Sequence, residues 1–445
     1  VNRLPTAIEI YKLLPKKNCG ECKFPTCLAF AMQLANKKVS LDECPYVDEE
    51  VKTALEESGA PPIRLVRFGG SGRELEIGDE TELFRHEKKF YHPTILALAI
   101  QDNVSEDEQR SSIEQAKSLE FERVGQMIKL DALALCNESG ESKAFEALAQ
   151  LTMKECDLPL ILFGADSESL GSTAKICQER RPILATANKS NLDEMIALAK
   201  ELDLPLCISA DNLEELSEIS TMTKEKEIKN IVLDLTRSDL KQQLEDLTIV
   251  RRMAIKSSFR PFGHPTLIWS GTSDEELMKA TLGIPKYASI IILQSAAPEK
   301  VYPLMTLRQN IYTDPQVPLQ VEEKIYDIGS PQPDSPLLLT TNFSLTYFTV
   351  AGDIEKSGVP SWLLVANTEG LSVMTAFAAG KLTAEGVAKL IETANIKEKC
   401  TSGSIIIPGM ISRMSGKLNE LTGLNVIVGP RESAALPKFL KNLPE

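Results

Sequence analysis

Histidine is scarce in this chain. There are three, His86, His92 and His264, in 445 residues, and none follows position 264. That shortage leaves no nucleophile–histidine–acid arrangement supported by spacing and argues against a hydrolase. It also leaves no Cys and His pairs of the kind that bind structural zinc. No apolar run approaches the roughly 20 residues a membrane helix needs. The first residues, Val1-Asn2-Arg3-Leu4-Pro5, lack the apolar stretch of a secretory signal. An excess of basic residues is missing too: 49 Lys and Arg face 63 Asp and Glu, for a net charge of −14. That balance argues against nucleic acid or an anionic membrane as the main partner.

Nine cysteines are present, an odd number in a long chain without a visible signal, which argues against a disulfide framework and for a reducing, cytoplasmic compartment. Five of them (Cys136, Cys156, Cys177, Cys207, Cys400) are scattered, and Cys136 and Cys207 lie in apolar, strand-like runs where a buried thiol is ordinary. The other four crowd together as Cys19-x2-Cys22-x4-Cys27-x16-Cys44, followed by Pro45. Gly20 and Pro25 bend the loop so that three sulfurs can converge, and Cys44 returns after a helix. Three close cysteines, one distant cysteine and a Cys-Pro ending match a [4Fe-4S] cluster. Zinc remains the alternative, although the second Cys-x2-Cys knuckle is missing. With all four corners filled by cysteine, a cluster would carry electrons. Lys16, Lys17 and Lys23 would offset its charge, or stand as ordinary solvated lysines.

The chain reads as three parts, in keeping with its length. Thr6 and Glu9 have capping-box spacing for a first helix, which Pro15 ends, and residues 28–38 read as a second with Leu28, Ala31, Met32 and Ala35 on one face. Pro61-Pro62 marks a boundary near residue 60. Eight short apolar runs follow, at 95–100, 132–136, 160–163, 183–186, 206–209, 231–235, 267–269 and 290–293, separated by helix-length segments. Eight β/α units in this length predict a (β/α)8 TIM barrel, with a doubly wound open sheet as the alternative. Gly69-Gly70-Ser71-Gly72 lacks the Lys-Ser/Thr of a phosphate loop and reads as a turn. After Pro331-Gln332-Pro333, strands at 362–366, 405–407 and 426–428 each lead into a Gly-containing turn and a helix, giving an α/β unit with polar turns at one sheet edge.

Asn18 to Cys44, taken with Thr340-Thr341-Asn342-Phe343-Ser344-Leu345-Thr346-Tyr347 and Thr368-Glu369-Gly370-Leu371-Ser372-Val373, resembles the large (gamma) subunits of corrinoid iron–sulfur proteins of the acetyl-CoA decarbonylase/synthase system. Ile407-Pro408-Gly409, Met414-Ser415-Gly416-Lys417-Leu418 and Val428-Gly429-Pro430-Arg431-Glu432 fit the same pattern. The resemblance implies a [4Fe-4S] domain over residues 1–60, a TIM barrel over 61–322 and a doubly wound α/β corrinoid-binding domain over 323–445. It implies a methyl carrier of the reductive acetyl-CoA pathway. The corrinoid cobalt would take a methyl group from methyltetrahydrofolate through a methyltransferase and pass it to acetyl-CoA synthase/CO dehydrogenase, and the cluster would return Co(II) to Co(I). It also implies a heterodimer with a small subunit. Carried over by position, the corrinoid contacts fall on Thr340, Thr346, Gly370, Leu371, Ser372, Val373, Thr375, Gly409 and Gly429, and on Arg431, Glu432, Ser433 and Ala434 at a helix start. The Asp-x-His-x-x-Gly motif of many cobalamin proteins is missing. A cobamide here would therefore be base-off without a histidine from this chain, with Thr375 near its lower face. The alternative from a different class is an iron–sulfur barrel enzyme that turns over a small substrate without a corrinoid.

Overall fold

A computed structural model describes all residues except 1–6, 36–38, 40, 48–60, 71, 124–125, 165, 272–274, 315–316 and 444–445. The chain divides into two compact units, residues 1–120 with 129–312, and residues 121–128 with 313–445.

The first unit holds the barrel. An antiparallel pair, β1 (Val66–Phe68) and β2 (Leu75–Ile77), precedes it. Strand β3 (Ile95–Gln101) opens the barrel, and a hairpin, β4 (Glu120–Arg123) and β5 (Gln126–Lys129), interrupts the passage to β6 (Ala132–Cys136). Strands β7 (Leu160–Phe163), β8 (Ile183–Ala187), β9 (Leu206–Ser209), β10 (Ile231–Asp234), β11 (Thr266–Trp269) and β12 (Ile290–Leu293) follow, each separated from the next by a helix. Strands β3 and β6 to β12 pair in parallel and close on one another, so the open-sheet alternative falls away.

Alternation along the strands explains the continuous apolar runs. Leu96, Leu98 and Ile100 are buried on one side of β3, and Ala97 and Ala99 belong to the barrel interior. That interior is lined by small residues, among them Ala132, Ala134, Ala185 and Cys207, which would leave it underfilled. Val66, Phe68 and Ile77 of the β1–β2 pair fill the space. Their turn lies against the strand N-termini, where Gly69 donates its N–H to the Arg181 carbonyl at 3.3 Å. At the other end Phe163 and Trp269 meet edge to face, ring centres 5.1 Å apart. Gly69-Gly70-Ser71-Gly72 thus belongs to the β1–β2 connection; Gly69 has φ +97° and leaves no room for a Cβ beside the Arg73 carbonyl. Ser71 lies outside the described residues. His264 is buried before β11, and desolvation, aided by Arg64, Lys224 and Arg260, pushes its pKa down to about 3. It is a neutral packing residue.

The N-terminal segment carries helices Ala7–Leu13 and Cys27–Ala35. Thr6, half of the expected capping box, and residues 36–38 of the expected second helix lie outside the described residues. The buried face of the second helix is Cys27, Phe30 and Ala31, while Leu28 and Met32 are exposed. The predicted face was therefore one residue out of phase. Cys27 begins the helix and must face the other cysteines, and this fixes the rotation.

In the second unit, β13 (Ile325–Ile328), β14 (Leu337–Thr341), β15 (Ser361–Ala366), β16 (Ser404–Ile407) and β17 (Asn425–Val428) form one sheet in the order β13-β15-β14-β16-β17, parallel except for β13. Sequence reasoning missed β13 and the central strand β14. Leu338, Leu363, Val365 and Ile406 pack under helices Ser344–Ser357 and Leu436–Lys441. Leu337, Leu339, Leu364 and Ile407 pack under Val373–Ala378, Ala384–Thr393 and Ser415–Thr422. The sheet is doubly wound. Arg431 and Glu432 do not start an α-helix, as the sequence suggested: they precede a short 3-10 turn, Ser433–Ala435, and the α-helix begins at Leu436. Pro437 sits in the first turn of that helix, where a missing N–H costs nothing.

Candidate functional site

Two places gather the residues singled out by sequence. The first is the cysteine loop. Cys22, Cys27 and Cys44 lie in one small core with Ile10, Leu14, Phe30 and Ala31, and Cys19 is exposed at its edge. The loop turns through left-handed backbone at Lys16, Asn18, Gly20 and Lys23, with φ between 49° and 79°. Each non-glycine residue held so costs on the order of 1 kcal/mol. The helix start is fixed by side chains. The Thr26 hydroxyl accepts from the Ala29 N–H at 3.1 Å, and the Asn18 amide oxygen accepts from the Cys27 N–H at 2.8 Å. The Asn18 N–H in turn donates to Cys27 Sγ at 3.4 Å.

Cys44 follows the 3-10 turn Leu41–Glu43 and donates its N–H to the Leu41 carbonyl. Tyr46 ties this arm to the loop: its hydroxyl donates to Glu21 at 2.7 Å, and Lys17 stands over its ring at 3.8 Å. Glu21 raises the Tyr46 pKa, with smaller contributions from burial and then from Cys19 and Cys44, so Tyr46 lies beside cysteines from both arms. Among the described residues no three His, Cys, Asp or Glu side chains converge on a single-ion site. A four-iron cube takes one thiolate at each corner, and the two arms of this segment offer four cysteines. The donor set fits the cluster.

The second place is the C-terminal edge of the sheet in the second unit. Starting from β14, the chain adds β15 on one side and then crosses to place β16 on the other. Ligands in open α/β sheets bind where the strand order reverses in this way. Five residue pairs join β14 to β15, but only Leu338 and Ile406 join β14 to β16. No further ladder pair joins the two strands, and at their ends a cavity of about 550 Å³ is lined by Leu339, Thr340, Ile407 and Pro408. Its size is ordinary for a small-molecule site. Thr340 lines it, 1% exposed, with its hydroxyl unpartnered. A buried hydroxyl with no partner is costly and rare in native folds, and it fits a ligand with amide groups.

The structure brings Thr340, Thr346, Val373, Gly429, Arg431, Glu432 and Ser433 onto this cavity. Gly370, Leu371, Ser372, Thr375, Gly409 and Ala434 do not line it, and several have a different local task. Gly370 has φ +75°, and a Cβ there would meet Gln320 Cγ at 2.9 Å. Gly409 lets the loop after β16 touch the loop after β17: its Cβ would meet the Gly429 carbonyl oxygen at 2.5 Å. Leu371 packs against the core, and the Ser372 and Thr375 hydroxyls lie 3.1 Å apart at the start of helix Val373–Ala378. Ala434 is exposed in the 3-10 turn.

Sequence reasoning assigned no role to Asn342, which links the two motif blocks. Its amide oxygen accepts from the N–H groups of Thr368 and Gly370 at 2.9 and 3.1 Å. Its amide nitrogen donates to Gln320 and Asn367 at 3.0 and 3.2 Å. The signal was its place directly after the apolar run of β14, where a polar residue begins the strand-end loop.

Most charged groups at the barrel mouth are hydrogen-bonded within it, while Arg237 Nη2 is buried without a partner. Asp102 accepts from the N–H groups of Glu138 and Ser139, and Glu276 from those of Gln294 and Ser295. Lys279 donates to the carbonyls of Arg237 and Ser238, and Arg237 pairs with Asp246. Burial pushes the Asp234 carboxyl up, against hydrogen bonds from Thr236. These groups tie βα loops together and form no nucleophile–base pair.

Replacing Asn342 by Leu removes five hydrogen bonds, one of them from the Thr368 hydroxyl, and strands two buried N–H groups, which should cost about 2–4 kcal/mol locally. Hydrogen exchange is expected to show faster exchange at Thr368 and Gly370 with barrel amides unchanged. Unchanged protection at both amides would refute the linking role.

Residues 65–440 match the family described as CO dehydrogenase/acetyl-CoA synthase delta subunit, and residues 14–46 match one described as a putative Fe-S cluster. The chain is 43% identical to the corrinoid/iron-sulfur protein large subunit of Moorella thermoacetica, over 98% of each chain. It is 35% identical to the acetyl-CoA decarbonylase/synthase complex subunit gamma of Methanothermobacter thermautotrophicus, over 98% of this chain and 99% of the relative. A gamma subunit of Archaeoglobus fulgidus is 34% identical over 99% of both chains. The chain belongs to the family of corrinoid/iron–sulfur protein large subunits and acetyl-CoA decarbonylase/synthase gamma subunits.

Proposed function

We propose that this chain is a methyl carrier with two cofactors. In this reading Cys19, Cys22, Cys27 and Cys44 hold a [4Fe-4S] cluster in a domain spanning residues 1–60. The barrel of residues 61–322 is a scaffold, and residues 323–445 hold a corrinoid. The observation that carries the reading is the cavity at the strand-order reversal, with the unpartnered Thr340 hydroxyl inside it. Bound there, a corrinoid supplies a cobalt that in its Co(I) state takes a methyl group and hands it on, and the cluster supplies the electron that restores that state.

The chain's own residues do the rest. Leu339, Ile407, Pro408 and Val373 give the cavity an apolar lining that excludes water. Thr340 offers a hydrogen bond to a corrin amide, and the backbone at Gly429, Arg431, Glu432 and Ser433 forms the facing lip. No histidine occurs after residue 264, so a corrinoid held by this unit would take no histidine ligand from it. Thr375, exposed and outside the cavity lining, would offer a bound corrinoid no more than a weakly donating hydroxyl. At the lip Leu345 and Met410 are 67% and 42% exposed. Exposed apolar residues beside a ligand site suit a covering partner, here the small subunit. The methyltransferase that loads the methyl group from methyltetrahydrofolate and the acetyl-CoA synthase that receives it would reach the cobalt when that cover opens.

Anaerobic purification with metal analysis and a visible spectrum tests the reading directly. Cobalt together with about four irons per chain, and a corrinoid spectrum, are expected. Iron without cobalt after anaerobic corrinoid loading would sink the carrier reading. In Cys22→Ala, chemically pre-reduced protein is expected to transfer methyl groups as wild type does, yet to stay inactive once oxidised by one electron. Equal loss of both activities counts against the repair role.

Thr340→Val separates folding from binding. Removing an unpartnered buried hydroxyl should leave the corrinoid-free protein as stable or more so, while weakening corrinoid retention about fivefold, the equivalent of roughly 1 kcal/mol. Equilibrium dialysis and thermal melts of the corrinoid-free protein read the two effects. Retention equal to wild type would remove Thr340 from the site.

A further inference from the structure

Among the groups around the cysteine loop, Asn18 holds one ligand from two directions. Its side-chain oxygen accepts from the Cys27 N–H at 2.8 Å, and its own N–H points at Cys27 Sγ at 3.4 Å. No other N–H···S contact to the four clustered cysteines occurs among the described residues. Asn18 reaches this position through left-handed backbone, φ +49°, which asparagine tolerates better than most residues. The two bonds are coupled: the side-chain clasp on the Cys27 N–H sets the distance at which the backbone N–H meets the sulfur. Cys27 is also the first residue of its helix, so the clasp occupies an N–H that the helix cannot use.

We propose that Asn18 is a positioning residue that tunes the cluster, by presenting an N–H to the Cys27 thiolate and thereby raising the reduction potential. The inference rests on the reading of the four cysteines as cluster ligands. A hydrogen bond to a ligand sulfur withdraws electron density and favours the reduced, more negative cluster. Reduction of Co(II) is demanding, so the cluster must stay strongly reducing while still accepting an electron from its own donor. One N–H···S bond is a fine adjustment between those requirements. Thr26 supplies an internal comparison, because it caps the same helix through Ala29 and is not hydrogen-bonded to Cys27 Sγ.

The test is an EPR-monitored redox titration of the full protein with its partner subunit, in wild type, Asn18→Gly, Asn18→Asp and Thr26→Ala. Glycine keeps the backbone N–H and tolerates the left-handed φ, but loses the clasp. Its midpoint potential is expected to fall below wild type, and an exchangeable proton coupled to the reduced cluster in wild type should weaken in pulsed EPR after transfer to D2O. Aspartate keeps the acceptor, so it is expected to retain that proton coupling and four irons, with a lower potential from its added charge. Thr26→Ala is expected to leave potential and coupling unchanged. An unchanged potential in Asn18→Gly, or an equal fall in Thr26→Ala, would overturn the proposal. If Asn18→Gly fails to load iron, Asn18→Asp decides: failure of aspartate to load or to keep the coupling refutes the clasp. A wild-type protein without a [4Fe-4S] signal would instead refute the cluster reading itself.

Discussion

The second unit depends on a single strand contact that stops early. β14 and β16 share only the Leu338–Ile406 pair, whereas β14 runs beside β15 for five pairs and β16 beside β17 for four. A parallel sheet gains from each further pair, so the gap needs compensation. It comes from the flanks: Leu337, Leu339 and Ile407 stay buried in one helical layer and Leu338 and Ile406 in the other. The helices hold the strands as a sheet while their ends part. The cavity is the space this leaves, and it lies where strand order reverses because there no helix crosses between adjacent strands to fill it.

The edges of that opening are then fixed by backbone contacts that only particular residues permit. Gly409 and Gly429 bring two strand-end loops together, with the Gly409 N–H donating to the Pro430 carbonyl at 3.0 Å. On the opposite side Asn342 gathers the 366–370 loop onto the end of β14. Thr340, between these two supports, is left with an unpartnered hydroxyl. The unit is rigid around a point of unmet hydrogen bonding, an arrangement that favours a bound polar ligand over collapse of the site.

The barrel was legible because its signal repeats. Eight apolar runs with helix-length spacers leave few folds, and the observed strand limits differ from the predicted ones by a residue at most at either end. The cysteine cluster was equally plain, since its four members stand close together in sequence order. The C-terminal sheet was read only in part. β14 contains Leu337-Leu338-Leu339-Thr340-Thr341, a run short enough to be lost beside the neighbouring prolines. Without it the reversal of strand order could not be seen. The glycines of the motifs were legible as motifs, but not as backbone contacts: whether Gly409 faces a ligand or the Gly429 carbonyl depends on two loops 20 residues apart. The face of helix Cys27–Ala35 was misread for a related reason, because hydrophobic spacing ranked Leu28 and Met32 above a cysteine whose direction is set by its partners.

The barrel's chemistry bears on the choice between a carrier and an enzyme. At its mouth the acids and bases that could act on a substrate are already hydrogen-bonded to neighbouring loops, Asp102 and Glu276 to backbone N–H groups and Lys279 to backbone carbonyls. Phe163 and Trp269 occupy the strand ends. Freeing any one of these groups would leave a buried partner unmet, at about 1–3 kcal/mol, so the mouth resists recruitment to catalysis. In the second unit the cavity lining includes Thr340, whose buried hydroxyl lacks a partner. The cysteine loop and the C-terminal sheet edge are therefore favoured over the barrel mouth as places for a bound group.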